Sequence, residues 1–215
     1  MQHVVINAGK VVMMEDVAGL REIVASCDLV NADGQSIVWA GRLLGLEVPE
    51  RVAGIDLMHR LLDEAEGKAW PVFFLGAKPD VLEACVRTLQ EKHPRLTVAG
   101  FHDGYFNDDA GVARLVCDSG ARLLFVGMSS PRKETFLAEH LEEMGPVFAM
   151  GVGGSFDVVA GLTTRAPRWM QKAGLEWFYR LVQEPQRMWR RYLVGNVRFA
   201  RIVLRDCLFR RRARH

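Results

Sequence analysis

Residues 122–151 read RLLFVGMSSPRKETFLAEHLEEMGPVFAMG and contain the pattern that decides the fold. Two apolar runs, Arg122–Gly127 and Val147–Gly151, have the length and composition of buried strands. Between them, Pro131–Met144 carries apolar residues at helical spacing and begins with a proline, which is typical of a first helical turn. A strand, a helix and a second strand in succession predict a β-α-β unit with parallel strands.

The same alternation continues outward from this unit. Strands are predicted at His3–Asn7, Leu29–Asn31, Pro71–Gly76 and Leu96–Phe101, and helices at Asp16–Cys27, Gln35–Leu46, Asp56–Glu66, Asp80–Lys92 and Asp108–Ser119. No strand pattern follows Gly154, and the chain from Arg168 onward predicts two helices broken at Glu184-Pro185. We therefore predict an α/β fold: a Rossmann-like, mostly parallel sheet with helices on both faces over residues 1–164, and a helical appendage over residues 165–215.

The charge of the chain is distributed unevenly. Residues 165–215 contain fourteen Lys and Arg against three Asp and Glu, although the whole chain has a net charge of only +2. The body is therefore acidic and the tail basic. Such an asymmetry predicts an anionic partner for the tail, which leaves phosphate, lipid head groups and nucleic acid as candidates.

The tail also has an amphipathic pattern. Four arginines fall on one helical stripe, and aromatic and aliphatic residues fall on the other side: Arg187, Arg191, Arg198 and Arg205 against Trp189, Tyr192, Leu193, Phe199, Val203 and Leu204. This arrangement favours a membrane surface, with a helix packed on the protein body as the alternative. Nucleic acid is disfavoured because no known binding motif is present.

Several sequence features indicate location. The first residues lack the pattern of a signal peptide, and no stretch approaches the ~18 uninterrupted apolar residues of a membrane span. The four cysteines are scattered and have no metal-ligand spacing, which predicts reduced, buried thiols and no zinc site. We expect a cytoplasmic protein that lies peripherally on the inner face of the plasma membrane.

Ligands of doubly wound sheets bind at the carboxyl ends of the strands. After the last predicted strand, Gly151, Gly153 and Gly154 precede a helix, which is typical of a diphosphate-binding site. A tight turn between the strand and the helix explains these glycines equally well. The pattern differs from the G-x-G-x-x-G of dinucleotide enzymes and lies at the last strand. Both points count against an NAD-linked oxidoreductase.

Two polar residues near other strand ends have open interpretations. Asp33, in NADG, fits a simple Asp-Gly turn by spacing alone, and the functional alternative is a general base. Arg51 fits a surface ion pair, with a substrate contact as the alternative. Ser130 is expected to cap a helix, and Lys133 is placed where it can meet phosphate or sugar.

Four segments together resemble the WecG/TagA/CpsF family, glycosyltransferase family 26. They are ERVAGIDL (50–57), SPRKE (130–134), GVGGSFDVVAG (151–161) and RAPRWMQKAGLEWFYRLVQEPQRMWRRY (165–192). The resemblance implies inverting transfer, without metal or cofactor, of a hexose or N-acetylhexosamine such as N-acetylmannosamine, its uronic acid or glucose. It implies a UDP-sugar donor, a polyprenyl-diphosphate-linked acceptor and a role in cell-surface polysaccharide synthesis, and it leaves a homo-oligomer open.

Residue roles also follow from the resemblance. It implies that Asp33 is the catalytic base and that substrate contacts come from Asn7, Arg51, Lys133, Glu134, Gly151, Gly153, Gly154, Phe156 and Asp157. It implies that Arg180, Arg187 and Arg190 bind the lipid diphosphate. The chain departs from the family pattern at Val5, where threonine is frequent, and at Lys133, where glutamine is frequent, and the resemblance begins inside the family's first strand region. These departures leave a catalytically degenerate membrane- or nucleotide-binding module as the alternative.

Overall fold

The computed structural model describes residues 1–212, except for the side chains of Lys172, Arg187, Met188, Arg190, Arg191 and residues 210–212. The strands are β1 (Gln2–Ile6), β2 (Leu29–Ala32), β3 (Val72–Gly76), β4 (Val98–His102), β5 (Leu123–Gly127) and β6 (Phe148–Gly151). The helices are α1 (Ala8–Asp16), α2 (Leu20–Ser26), α3 (Gln35–Leu43), α4 (Gly54–Gly67), α5 (Pro79–Lys92), α6 (Asp109–Asp118), α7 (Arg132–Met144), α8 (Ser155–Val159), α9 (Arg168–Lys172), α10 (Glu176–Gln183) and α11 (Pro185–Arg212).

The strands form one sheet in the order β2-β1-β6-β5-β3-β4. The pairings of β1 with β6, β6 with β5, β5 with β3 and β3 with β4 are all parallel. Side chains on β3 alternate between two apolar clusters, so that Phe74 packs with the residues of α4 and α5 and Phe73 with those of α6 and α7. Both faces of the central strands are therefore covered by helices, which explains their continuous apolar sequences and confirms the predicted fold class.

All six predicted strands are present, but some helices differ from the prediction. The helix predicted at Asp16–Cys27 is present as α2 but begins only at Leu20, and α1 over Ala8–Asp16 was not predicted. Gly19, whose φ is +79°, interrupts the helical path between the two helices. The sequence of α1, AGKVVMMED, has no distinct polar and apolar faces and contains Gly9, so its periodicity gives little signal. The tail forms three helices instead of two, with the expected break at Glu184.

The chain divides into two compact units. The first unit contains Met1–Val5, Leu20–Val30 and Gly54–Thr164. The second unit contains Ile6–Gly19, Asn31–Ala53 and the chain from Arg165 onward. The division into a catalytic domain over 1–164 and an appendage over 165–215 stays a prediction.

Within the second unit, part of the predicted lipid-facing side of the tail packs on protein. Phe199 and Val203 of α11 are buried against Ala8 and Val12 of α1. Other apolar residues of α11 are exposed, including Trp189, Leu193, Val197, Leu204 and Leu208. Among the described residues, no helix combines the length and the apolar content that crossing a bilayer requires. For Phe199 and Val203 the structure fits the alternative of a helix packed on the protein body, because α1 provides a partner that the sequence pattern does not reveal.

Candidate active site

Two backbone hydrogen bonds in the second unit link the segments that carry Asn7, Asp33 and Arg51. The amide of Asp33 donates to the carbonyl of Ile6 over 2.8 Å, and the amide of Val52 donates to the carbonyl of Ala32 over 2.9 Å. Asp33 is itself one of the bonded residues, Asn7 directly follows Ile6, and Arg51 directly precedes Val52. Three segments that are distant in sequence meet where β1 and β2 end.

The local roles of these residues are clear. Asn7 is the N-cap of α1, and its side-chain oxygen accepts a hydrogen bond of 2.9 Å from the amide of Lys10. Asp33 precedes Gly34, which has a φ of +128° and begins α3 without a side-chain cap. The chain bends at Gly34, and Asp33, which is half-buried, lies two residues before the first residue of α3.

Arg51 belongs to a small charge cluster that the sequence did not reveal. Its guanidinium contacts a carboxylate oxygen of Glu176, and Nε of Arg165 donates to the other oxygen over 3.3 Å. These three side chains are largely buried, with exposed fractions of 16–24%. Nearby, the backbone of Gly174 approaches Gln35 so closely that a Cβ there would lie 3.0 Å from Cβ of Gln35. The turn before α10 therefore lies against the start of α3, two residues after Asp33.

The three predicted lipid-diphosphate arginines are described to different extents. Arg180 is exposed in the last turn of α10, where its carbonyl accepts from the amide of Glu184 over 2.9 Å. A cation in that position interacts favourably with the negative end of the helix dipole. Arg187 and Arg190 lie on α11, and their side chains are outside the described set.

The glycine segment belongs to the first unit. Gly151 ends β6, Gly153 adopts a φ of +53°, and Gly154 is the N-cap of the short helix α8. No side chain caps α8, whereas Oγ of Ser155 donates to the carbonyl of Val152 over 2.8 Å. The groups of this turn that could bind an anion are therefore its backbone amides.

Phe156 and Asp157 are both positioned by contacts within the protein. The Phe156 ring is fully buried, edge-on to Phe74, and a Cβ on Gly127 would lie 2.4 Å from it. Its side chain therefore serves the core, and its backbone alone remains to contact a ligand. Asp157 lies near Cys85, and burial together with that carboxylate raises the pKa of the Cys85 thiol to about 12. Cys27 is also buried, but Cys117 is exposed, which corrects the expectation that all the cysteines lie inside.

Lys133 and Glu134 form a buried charged pair at the start of α7. Nζ of Lys133 lies 3.1 Å from Oε1 of Glu134, and Oγ of Ser130 donates to that same oxygen over 3.0 Å. Nζ of Lys133 also contacts Oγ of Ser130. The aliphatic part of the Lys133 side chain passes close to Gly151 at the end of β6. A Cβ on Gly151 would lie 2.9 Å from Cε of Lys133, so only glycine leaves room for the lysine side chain there. A narrow cavity beside the pair is lined by Gln2, His3, Val4, Val5, Leu137 and Gly151.

Two expectations about helix starts need correction here. Ser130 does not cap α7, because Pro131 occupies the N-cap position and the Ser130 hydroxyl is engaged with Glu134. The helix predicted to begin at Asp56 begins two residues earlier, at Gly54.

One group of side chains among the described residues has the composition of a metal site. Asp109, Glu139 and His140 bring their potential ligand atoms within 4.8 Å of one another. Arg132, however, donates to both oxygens of Asp109 and holds the pKa of that carboxyl below its usual range. The cluster is therefore an ion-paired surface group beside Phe106 and Phe136, with which the Arg132 guanidinium stacks.

Comparison with known proteins adds independent information. Residues 1–213 match the model of the glycosyl transferase WecG/TagA/CpsF family. The N-acetylglucosaminyldiphosphoundecaprenol N-acetyl-beta-D-mannosaminyltransferase of Bacillus subtilis (strain 168) is 34% identical over 185 residues, which cover 86% of this chain and 72% of that protein. The protein of the same name from Bacillus spizizenii (strain ATCC 23059 / NRRL B-14472 / W23) is 36% identical over 171 residues, which cover 80% of this chain and 66% of that protein.

Proposed function

The chain belongs to the WecG/TagA/CpsF family of glycosyltransferases, and we propose on that basis that it transfers an N-acetylhexosamine from a UDP-sugar to a polyprenyl-diphosphate-linked saccharide. The substrate class is supported by the two relatives, whose names specify an N-acetylmannosaminyl group and an N-acetylglucosaminyldiphosphoundecaprenol acceptor. N-acetylmannosamine is therefore the first donor sugar to test, and its uronic acid and glucose are the next.

The placement of Asp33 carries the proposed chemistry. Its half-buried carboxylate follows β2, on a segment bonded to those of Asn7 and Arg51. In the proposed reaction Asp33 takes the proton of the acceptor hydroxyl while that oxygen forms a bond to the anomeric carbon. The bond from this carbon to the UDP oxygen breaks at the same time, so the anomeric configuration inverts and UDP leaves with the bonding electrons.

The charge that develops on the departing UDP requires stabilisation by the protein. We assign this task, without a metal ion, to arginines of the second unit, which also contains Asp33. Preorganised donors of this kind act strongly because they need no reorganisation during the reaction.

The tail supports a membrane-bound acceptor. On α11 the exposed residues Trp189, Leu193 and Leu204 lie on the side opposite to the arginines that face α1. Apolar residues that remain exposed on a basic helix suit the boundary between water and lipid. We propose that Arg180, Arg187 and Arg190 hold the diphosphate of the lipid acceptor on the inner face of the plasma membrane.

The test is release of UDP from a panel of UDP-sugars, with and without a polyprenyl-diphosphate-GlcNAc acceptor in detergent. We expect release that depends on the acceptor, continues in EDTA and falls ~10²–10⁴-fold in Asp33→Asn. Asp118→Asn, which changes an exposed carboxylate at the end of α6, serves as the control and should retain activity. Point substitutions are preferable to removal of the tail, because truncation uncovers Ala8 and Val12.

Two results would contradict the proposal. Equal activity of Asp33→Asn and wild type would remove Asp33 from the reaction. Absence of release from every donor, with a folded protein that still binds lipid vesicles, would favour the catalytically degenerate binding module.

A further inference from the structure

Helix α3 has one side packed on protein and another side exposed. Ile37 and Ala40 pack against the apolar cluster that joins α1 and α11, and Val38 is buried. On the side away from this cluster, Trp39 is 59% exposed and Leu43 is 65% exposed, although both side chains are large and apolar. Residues four apart on a helix lie next to each other, so Trp39 and Leu43 form one exposed apolar row.

The turn after α3 adds a third exposed apolar side chain. Gly45 has a φ of +68°, and the amide of Leu46 donates to the carbonyl of Gly41 over 2.8 Å, which is the hydrogen bond of a Schellman helix end. Leu46, which is 45% exposed, is therefore held beside the last turn of the helix. We call Trp39, Arg42, Leu43 and Leu46 the α3 surface.

The α3 surface carries one charge, which is positive. Arg42 is exposed, and residues 35–46 contain no acidic residue before Glu47. An arginine among tryptophan and leucine side chains suits the boundary between water and an anionic bilayer. The small size of the surface also favours lipid, because a stable dimer takes about 20–30 residues from each partner, whereas a bilayer accepts a few side chains.

The α3 surface begins next to the proposed base. Asp33 lies two residues before Gln35, the first residue of α3. The rise of about 1.5 Å per residue places Trp39 about 6 Å and Leu43 about 12 Å further along the helix. In the proposed acceptor only a diphosphate separates the sugar from the polyprenyl chain, which stays in the bilayer. Its hydroxyl therefore reaches Asp33 only where the protein holds this residue close to the membrane.

The α3 surface also adjoins exposed aromatic residues of the tail. Gly174 lies against the side chain of Gln35, one helical turn before Trp39. This glycine joins α9 to α10, on which Trp169 is 65% exposed and Trp177 is 43% exposed. Tryptophan is favoured at the interface of a bilayer, because its ring is apolar and its N–H remains hydrated.

We propose that the α3 surface is a bilayer contact, separate from the basic tail, which inserts Trp39, Leu43 and Leu46 among the head groups of an anionic membrane. Arg42 pairs there with lipid phosphate. Since α3 follows Asp33 directly, this contact fixes the height of the proposed base above the membrane and presents it to the acceptor. The choice of a lipid partner rests on the proposed function.

The test measures binding of the full chain to vesicles of mixed phosphatidylcholine and phosphatidylglycerol by co-sedimentation. The double variant Trp39→Ser with Leu43→Ser should bind about tenfold more weakly than wild type, because two side chains lose their burial in lipid. Leu115→Ser changes an exposed leucine on α6 in the first unit and should leave binding unchanged. Arg42→Gln should weaken binding to these vesicles but not to vesicles of phosphatidylcholine alone.

Unchanged vesicle binding of the double variant would overturn the proposal. If light scattering then shows that the double variant has lost an oligomer present in wild type, the α3 surface is an interface between copies of the chain. Should the double variant fail to fold, Trp39→Phe provides the second test, with lipids brominated in their acyl chains. The fraction of tryptophan fluorescence that these lipids quench should be smaller in Trp39→Phe than in wild type, and an equal or larger fraction would overturn the proposal.

Failure of this proposal is distinguishable from failure of the proposed function. Vesicle binding is measured without turnover and does not depend on Asp33. If binding falls in the double variant but no UDP-sugar supports transfer, the proposed reaction alone is wrong. If transfer occurs but the double variant binds vesicles as wild type does, the role of the α3 surface alone is wrong.

Discussion

Arg198 of α11 donates from both terminal nitrogens to the two carboxylate oxygens of Asp16, over 2.7 and 2.6 Å. About two turns further along, Arg205 forms a second two-point contact with Glu15 over 3.2 and 3.3 Å. The apolar residues Phe199 and Val203 pack on α1 beside these ion pairs. Arginines that a sequence pattern assigns to a membrane surface are here engaged with the protein itself.

The first prediction concerns the pair of Arg198 and Asp16. The hydrogen bond from Arg198 holds the pKa of Asp16 below its usual range, so the contribution of this pair to stability is complete above the ordinary value of 3.8 and is lost as the pH falls through the lowered value. We expect Asp16→Asn to accelerate amide exchange in residues 198–207 at pH 7. In the wild type, 1 M salt should produce a similar acceleration because the pair is exposed to solvent.

Amide exchange measured by mass spectrometry tests this, with Asp118→Asn as the control. Asp118, like Asp16, is the last residue of a helix and is exposed. Unchanged exchange of α11 in Asp16→Asn would show that the apolar contact alone holds the helix.

The second prediction concerns the apolar part of the same contact. Phe199 is buried against Ala8 and Val12, so Phe199→Ala should lower the free energy of unfolding by about 3 kcal/mol. Leu204→Ala, on the exposed side of α11, should change it by less than about 0.5 kcal/mol. Urea titration of both variants measures the difference, and equal losses would refute the packing described for this helix.

The third prediction tests the approach of α8 to the sheet. A Cβ on Gly127 would lie 2.4 Å from the ring of Phe156, which is fully buried. Gly127→Ala should therefore lower the free energy of unfolding by about 3 kcal/mol. Gly67→Ala, where a Cβ meets nothing within 4 Å, is the matched control in thermal unfolding and should be nearly neutral. A neutral Gly127→Ala would argue against this packing.

The fourth prediction is a pH dependence. Burial, followed by the nearby charge of Lys92, lowers the pKa of His59 below its ordinary value of 6.5. The unfolded chain therefore binds a proton at this residue before the folded chain does, and stability falls as the pH decreases from 6.5 towards the lowered value. In urea titrations at pH 7 and pH 5, His59→Gln should lose less stability on acidification than wild type. His102→Gln is the control. If His59→Gln loses as much unfolding free energy between pH 7 and pH 5 as the wild type does, His59 is not the source of the pH dependence.

The sequence predicts the sheet well because each strand is a short apolar run bounded by turn residues, and burial on both faces requires such runs. It predicts that ligand-binding residues lie at the carboxyl ends of the strands, which is where Asn7 and Asp33 are found. It does not predict the partners of those residues. Arg51 and Glu176 are 125 positions apart and Arg198 and Asp16 are 182 apart, and no local pattern encodes which of many charges will meet.

The last prediction separates the structural and chemical roles of Lys133. Its side chain is 10% exposed and pairs with Glu134, which is 2% exposed, so Lys133→Met should lower the free energy of unfolding by about 3 kcal/mol through the carboxylate left behind. Lys133→Met with Glu134→Leu removes both charges and should restore much of that loss. If Lys133 contacts the donor, the KM for UDP-sugar stays raised in the stable double variant. If the KM returns with stability, the pair serves the fold alone.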